Sequence, residues 1–279
     1  MKNRILSLSA LCLILSFYSA LSVALEKSDK IRLHVMNCGH MEISNMASFS
    51  DTGEYEGKLG SLEDPCFLIQ HPKGLLIWDT GLGDNLIGIT PPKENPFQPT
   101  VAVSLTSQLK KLGLAPKDIQ FMAFSHTHFD HTGNANQFLA ATWLLQEKEF
   151  KDALSENPLG MKPETFDQYS KVKKMTFRGD YDVFGDGRVM ILSTPGHTPG
   201  HQSLLVKLSG KPVILSGDLY HFKENRTHKR VPLFNTNRAD TLASMDRIET
   251  IANNLGARVI IQHDPLDYAS LPKYPEFLE

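Results

Sequence analysis

A single layered α/β domain is the fold class that the sequence predicts, on three observations. Short β-branched and aromatic runs recur along the chain, most of them bounded by Gly, Pro or Asp, as buried strands should be. Amphipathic stretches lie between them and end at glycine, the pattern of helices that cover one face of a sheet. No short-period repeat, low-complexity tract or linker breaks the alternation, so one domain is expected rather than two.

The first residues stand apart from that pattern. Lys2 and Arg4 precede an apolar run from Ile5 to Phe17, and small residues close it at Ser22-Val23-Ala24. This is the layout of a secretory signal peptide cleaved after Ala24, and the run is too short for a comfortable bilayer span. The expected product is residues 25–279, periplasmic or secreted, with no membrane anchor after cleavage. Cys38 and Cys66 remain downstream. They read as two buried thiols, although export also permits a disulfide between them.

Strands are expected at Ile31 to Met36, at Cys66 to Gln70 and, after the turn His71-Pro72-Lys73-Gly74, at Leu75 to Trp78. A helix from Val101 to Leu112 is stopped by Gly113 and Pro116. Further strands come at Phe121 to Ser125, Arg188 to Ser193, Ser203 to Leu208, Val213 to Ser216 and Arg258 to Gln262. The helix Asp240 to Leu255 places Leu242, Met245, Ile248, Ala252 and Leu255 on one face and ends at Gly256. Glu42 to Asp64, Gly88 to Thr100 and the longer stretch Glu149 to Gly179 fit no sheet, and read as lids or binding loops.

Lys and Arg number 29 against 31 Asp and Glu, a formal net charge of −2. Such a balance gives no electrostatic reason to expect nucleic acid or an anionic membrane as partner. The informative feature is the residue type at the end of each strand. His126, His197, Asp218, His263 and Asp79 each come just after an apolar run, and a layered α/β fold gathers those strand ends at one edge.

Within FSHTHFDHTGN, His126 and His128 lie two apart, so an extended backbone points both to the same side. The turn after them can swing Asp130 and His131 toward a second ion. Imidazole nitrogens with carboxylate oxygens suit zinc, and also iron, cobalt or manganese. Asp218 has two oxygens and can bridge, while His197 and His263 would complete the two sets. Several crowded imidazoles with no ion would repel when protonated and lack partners when neutral. Isolated His34, His40, His71, His201 and His228 read as ordinary hydrogen-bonded histidines. Asp79 is better placed to orient ligand histidines than to bind metal.

HTHFDH after a strand, then TPGHTPGH, SGD and QHD, with an early WDTG, resemble the metallo-β-lactamase superfamily over nearly the whole exported chain. The resemblance implies a four-layered αβ/βα sandwich with a dinuclear site at one edge. Carried over, His126, His128 and His197 would bind one ion, Asp130, His131 and His263 the other, and Asp218 both. Overall length, the insertion before His197 and the short tail after His263 resemble the N-acyl-homoserine lactone lactonases, and GDLYHF with ENR and RVPLFN resembles an exported subgroup of them. One departure concerns the substrate carbonyl. Familiar members place a tyrosine three positions after the bridging aspartate, whereas His221 stands there and Tyr220 one earlier.

The implied reaction is lactone hydrolysis, quorum quenching, by a hydroxide shared between two divalent ions, Zn²⁺ or otherwise Co²⁺, Mn²⁺ or Fe²⁺. Asp130 would pass the proton to the leaving alkoxide, and Tyr220 or His221 would stabilise the oxyanion. Met41, Met46, Phe49 and the Glu149 to Gly179 insertion are candidates for an acyl groove. Other dinuclear hydrolases of the superfamily, acting on β-lactams, esters or phosphodiesters, remain the alternative, as does a non-catalytic metal-binding protein. The partner is a small molecule, and the chain is a monomer or homodimer.

Overall fold

The structure is a computed structural model and describes residues 29–155, 160 and 162–279. The expected signal peptide therefore lies outside the described residues. In chain order come β1 (Arg32–Ile43), β2 (Gly60–His71), β3 (Gly74–Trp78), β4 (Phe97–Thr100), α1 (Leu105–Lys111), β5 (Phe121–Ala123) and α2 (Phe129–Thr132). Next are β6 (Thr142–Gln146), α3 (Glu147–Ala153), α4 (Pro163–Phe166), β7 (Lys173–Phe177), β8 (Tyr181–Asp182), β9 (Val189–Ser193), β10 (Gln202–Val206) and β11 (Val213–Leu215). The chain finishes with α5 (Lys223–His228), α6 (Arg238–Leu255), β12 (Arg258–Ile260), α7 (Pro265–Ala269) and β13 (Phe277–Leu278).

Two sheets form. The larger runs β13-β1-β2-β3-β5-β6-β7 with β4 also on β1, and the smaller runs β12-β11-β10-β9-β8. One apolar cluster joins the facing sides, with Phe67, Leu76, Trp78 and Leu144 from the first meeting Ile191, Leu204, Val206 and Leu215 from the second. A second cluster packs Leu105 and Leu109 of α1 on the outer face of the first sheet, and a third packs Met245, Ile248 and Ala252 of α6 on the outer face of the second. The expected αβ/βα sandwich is thus the observed one. Helix α6 begins where the Asn237 side chain accepts from the Asp240 amide and ends at left-handed Gly256, as its cap residues require.

Three stretches read as loops contribute strands. β1 runs on to Ile43, β4 adds Pro99 and its neighbours to it, and β7 pairs in parallel with β6. Their apolar alternation is diluted by Lys173, Lys174 and Pro99, which edge strands tolerate, and by the exposed Glu42 on β1. β6 was hidden for the opposite reason: it is fully buried, but α3 comes directly after it with no Gly or Pro between. Cys38 and Cys66 are a disulfide rather than the expected thiols, because the β1–β2 ladder sets their Cα atoms 5.7 Å apart, within bridging range.

Candidate metal centre

Parallel pairing explains why polar side chains collect at one edge. Trp78 of β3 lies opposite Ala123 of β5, and Leu215 of β11 opposite Ile260 of β12. Asp79 and the Ser125-His126 step therefore leave one sheet beside each other, while Asp218 and His263 leave the other. β9 and β10 are antiparallel, and the loop joining them carries His197 to the same edge. Gly196 in that loop has φ +139°, and a Cβ there would lie 2.3 Å from the Thr241 amide, so glycine lets α6 pack against it.

The side chains converge in two groups, His126, His128, His197 and Asp218 in one, Asp130, His131 and His263 in the other. All seven are buried. His197 Nε2 lies 3.2 Å from both His126 Nε2 and His128 Nδ1. Those separations match the edge of a tetrahedron with metal–nitrogen bonds of about 2.0–2.1 Å, roughly 3.3 Å. Asp218 spans the groups. Its Oδ2 lies 3.3 Å from His197 Nε2 and 3.6 Å from His126 Nε2, while its Oδ1 lies 2.9 Å from His263 Nε2 and 3.1 Å from His131 Nε2. Asp130 Oδ2 stands 3.9 Å from His131 Nε2 and 4.0 Å from His263 Nε2.

Outer contacts aim the lone pairs inward. Ser125 Oγ holds His126 Nδ1 at 3.0 Å. Asp79 Oδ2 takes His131 Nδ1 at 3.1 Å and the Gln262 amide at 2.8 Å, and Asp79 Oδ1 accepts from the Ser125 backbone at 2.6 Å. The Glu63 carbonyl holds His263 Nδ1 at 2.7 Å, with Asp64 Oδ1 3.2 Å away. His201, read as an ordinary histidine, accepts the Asp218 backbone N–H at Nε2, 2.9 Å away. Burial lowers its pKa to about 3, which keeps that nitrogen an acceptor.

The two groups differ in charge. Burial, reinforced by neighbouring imidazoles, pushes His126 and His128 well below the ordinary histidine range. Burial acts the same way on His131 and His263, but Asp218 together with Asp79 and Asp64 outweighs it and holds both well above that range. Burial would raise Asp218, yet the surrounding imidazoles hold it well below the ordinary carboxylate range. Convergent ring nitrogens and a carboxylate with an oxygen toward each group are a donor set that fits two divalent cations. His128 Nε2 and His197 Nδ1, buried without hydrogen-bond partners, leave those two rings to be fixed by what their inner nitrogens face.

One expected role is corrected. Tyr220 points away from the cluster: its hydroxyl donates to Glu249 Oε1 at 2.9 Å within the core under α6, so it cannot reach an oxyanion. Arg226, which reads in sequence as part of a motif, ion-pairs with the same Glu249. His221 faces the centre, with Nε2 3.0 Å from Asp218 Oδ2. Beside it opens a cavity of 360 Å³ lined by Met41, Phe49, Leu62, Phe97, Phe129 and Phe234 together with His128, Asp130, Asp218 and His221. Of the expected groove residues Met41 and Phe49 line it; Met46 packs into the apolar cluster behind, and the insertion contributes Gly160 and Lys162.

Sequence reasoning missed Asp64 and Glu149. Asp64 before Pro65 at the start of an apolar run was the one signal in the sequence; for Glu149, 2 % exposed in the fold, the sequence held none.

Residues 64–263 match the Metallo-beta-lactamase superfamily. The N-acyl homoserine lactonase AttM of Rhizobium radiobacter is 33% identical over 267 residues, 88% of this chain and 98% of that protein. The N-acyl homoserine lactonase AiiA of Bacillus thuringiensis subsp. kurstaki is 28% identical over 241 residues, 80% of this chain and 89% of the relative. Among solved structures, an N-acyl homoserine lactone hydrolase with the product N-hexanoyl-L-homoserine bound at its catalytic metal center superposes with a TM-score of 0.79. It is 25% identical, over 90% of this chain and 100% of its own.

Proposed function

The chain belongs to the metallo-beta-lactamase superfamily, and from that premise we propose that it is a metal-dependent hydrolase that opens the lactone ring of N-acyl homoserine lactones. One observation carries the reading: the 360 Å³ cavity joins an apolar wall to the convergent histidines and carboxylates. An acyl chain suits the wall, and a neutral lactone carbonyl suits the polar end.

His126, His128 and His197 would hold one ion, Asp130, His131 and His263 the other, and Asp218 would offer an oxygen to each. Two divalent ions bound there, zinc in this reading, would supply Lewis acidity and lower the pKa of a water toward neutrality. Asp130 lines the cavity, and its carboxylate takes the proton of the attacking water and returns it to the ring oxygen as the carbonyl carbon–oxygen bond breaks. His221 is kept neutral by burial, and its Nε2–H donates to Asp218 Oδ2, fixing the orientation of the shared carboxylate. Phe49, Phe97 and Phe234 exclude water from the acyl chain.

Export is part of the proposal. The Lys2 and Arg4 flank, the apolar run to Phe17 and the small residues before Leu25 support a cleaved leader, and the Cys38–Cys66 disulfide suits an oxidising compartment.

A substrate panel tests the activity. Metal-loaded protein should open homoserine lactones of short and long acyl chain, lose that rate to a chelator and regain it with zinc, cobalt or manganese. Turnover of nitrocefin, aryl esters or aryl phosphates with no lactone opening would refute it.

A further inference from the structure

Among the described residues, Glu149 is the most completely bonded buried carboxylate outside the metal-binding set. It projects from the first turn of α3 and is 2 % exposed. Its Oε1 accepts from the Thr127 backbone N–H at 2.8 Å and from the Thr127 hydroxyl at 2.9 Å. Its Oε2 accepts from the Thr198 hydroxyl at 2.8 Å and from the Gly200 backbone N–H at 2.9 Å. All four are neutral donors, and they belong to two segments far apart in sequence. Thr127 sits between His126 and His128, and Thr198 directly follows His197.

The surroundings are built for this contact. A Cβ on Gly200 would lie 2.3 Å from the Glu149 backbone nitrogen, so glycine lets the His197 loop reach the start of α3. Burying a carboxylate is costly unless donors compensate it, more so than burying an uncharged polar group. A merely structural link between two loops would not need a charge, since neutral side chains can bridge them.

We propose that Glu149 is a positioning residue that sets the spacing of His126, His128 and His197, and so the affinity of one of the two ions. The inference rests on the reading that those three histidines hold an ion. Glu149 touches none of them; it fixes the backbone on either side of Thr127 and beyond His197. The other group, Asp130, His131 and His263, is held through Asp79, Asp64 and the Glu63 carbonyl instead. Removing the Glu149 charge therefore loosens one ion and spares its neighbour.

Glutamine is the informative replacement. Each Glu149 oxygen accepts one hydroxyl and one backbone N–H, so either orientation of a glutamine amide sets its NH₂ against a backbone N–H that cannot rotate away. The hydroxyls can turn, but the amides cannot.

The test uses the full chain and measures metal rather than turnover. Cobalt-loaded wild type and E149Q are titrated with a competing chelator, and bound metal is counted beside the cobalt absorption bands. Wild type should hold two equivalents. E149Q should hold one of them about 10–100-fold more weakly, as loss of an outer-contact partner typically does, with the second unchanged within about twofold. T198V, which removes one hydroxyl and keeps the side-chain volume, should weaken the same ion by less and keeps the idea testable if E149Q does not fold. Unchanged affinity for both ions, or an equal loss at both, would overturn the proposal. A wild type that binds no second equivalent would instead refute the dinuclear reading itself.

Discussion

The two halves of the site reach similar convergence by different means. Around His126, His128 and His197 no carboxylate among the described residues touches the outer ring nitrogens: His128 Nε2 and His197 Nδ1 are buried without a hydrogen-bond partner, and the loops are fixed by Glu149 at one remove. Around His131 and His263 carboxylates grip the rings themselves, Asp79 at 3.1 Å and Asp64 at 3.2 Å. Burial thus keeps the His126 and His128 rings neutral, while His131 and His263 hold on to protons that an incoming cation must displace. On the proposed dinuclear reading, the site would in this way hold two ions on unequal terms.

The largest expected effect erases the difference. Asp218 faces both halves, so D218A should weaken both ions together, by more than the ~10–100-fold typical of an outer partner, and abolish hydrolysis. Metal counted after gel filtration checks it, and retention of two equivalents would break the bridging assignment.

Acidity should separate the halves. With pKa values held well below the ordinary range, His126 and His128 are neutral at about pH 6 to 8 and offer lone pairs throughout. His131 and His263, held well above it, bind protons more tightly in ion-free protein, so cation uptake must displace protons from this pair. Affinity for the second ion should therefore fall as pH falls, by about tenfold per pH unit for each proton displaced. Affinity for the first should fall less steeply over the same window, since His126 and His128 compete with no proton there. Calorimetric titrations in buffers of different ionisation enthalpy count the protons directly. Equal slopes for both ions would dissolve the distinction.

Most of the chemistry was legible because it is local or ends a strand. His126, His128, Asp130 and His131 lie close together in one short stretch of chain, and His197, Asp218 and His263 each end an apolar run that predicts its own strand. The second layer was not legible for a physical reason. Glu149 acts on Thr127, 22 positions earlier, and on Thr198, 49 later. Its meaning depends on how α3 packs, which no spacing encodes. Tyr220 and His221 are neighbours, and the backbone after Asp218 alone decides which faces the cavity; sequence offered both. The disulfide likewise depended on a register between β1 and β2 that extends beyond the strands the apolar pattern marked.

The smallest expected effect probes Asp64. Burial raises its carboxyl to about 6, above the ordinary aspartate range, against the pull of His263, whose Nδ1 lies 3.2 Å from Oδ1. In D64N the His263 ring loses one of the charges that raise it, and two consequences oppose each other. A less basic imidazole holds a cation more weakly, by about tenfold near pH 8. The same ring also binds its competing proton less tightly, so the penalty should shrink as pH falls toward about 6. The first ion, which shares no contact with Asp64, should keep its affinity throughout. Chelator titrations of wild type and D64N across that range resolve the two. A penalty constant with pH would mean that Asp64 only packs against His263, and that the charge difference between the halves arises from Asp218 and Asp79 alone.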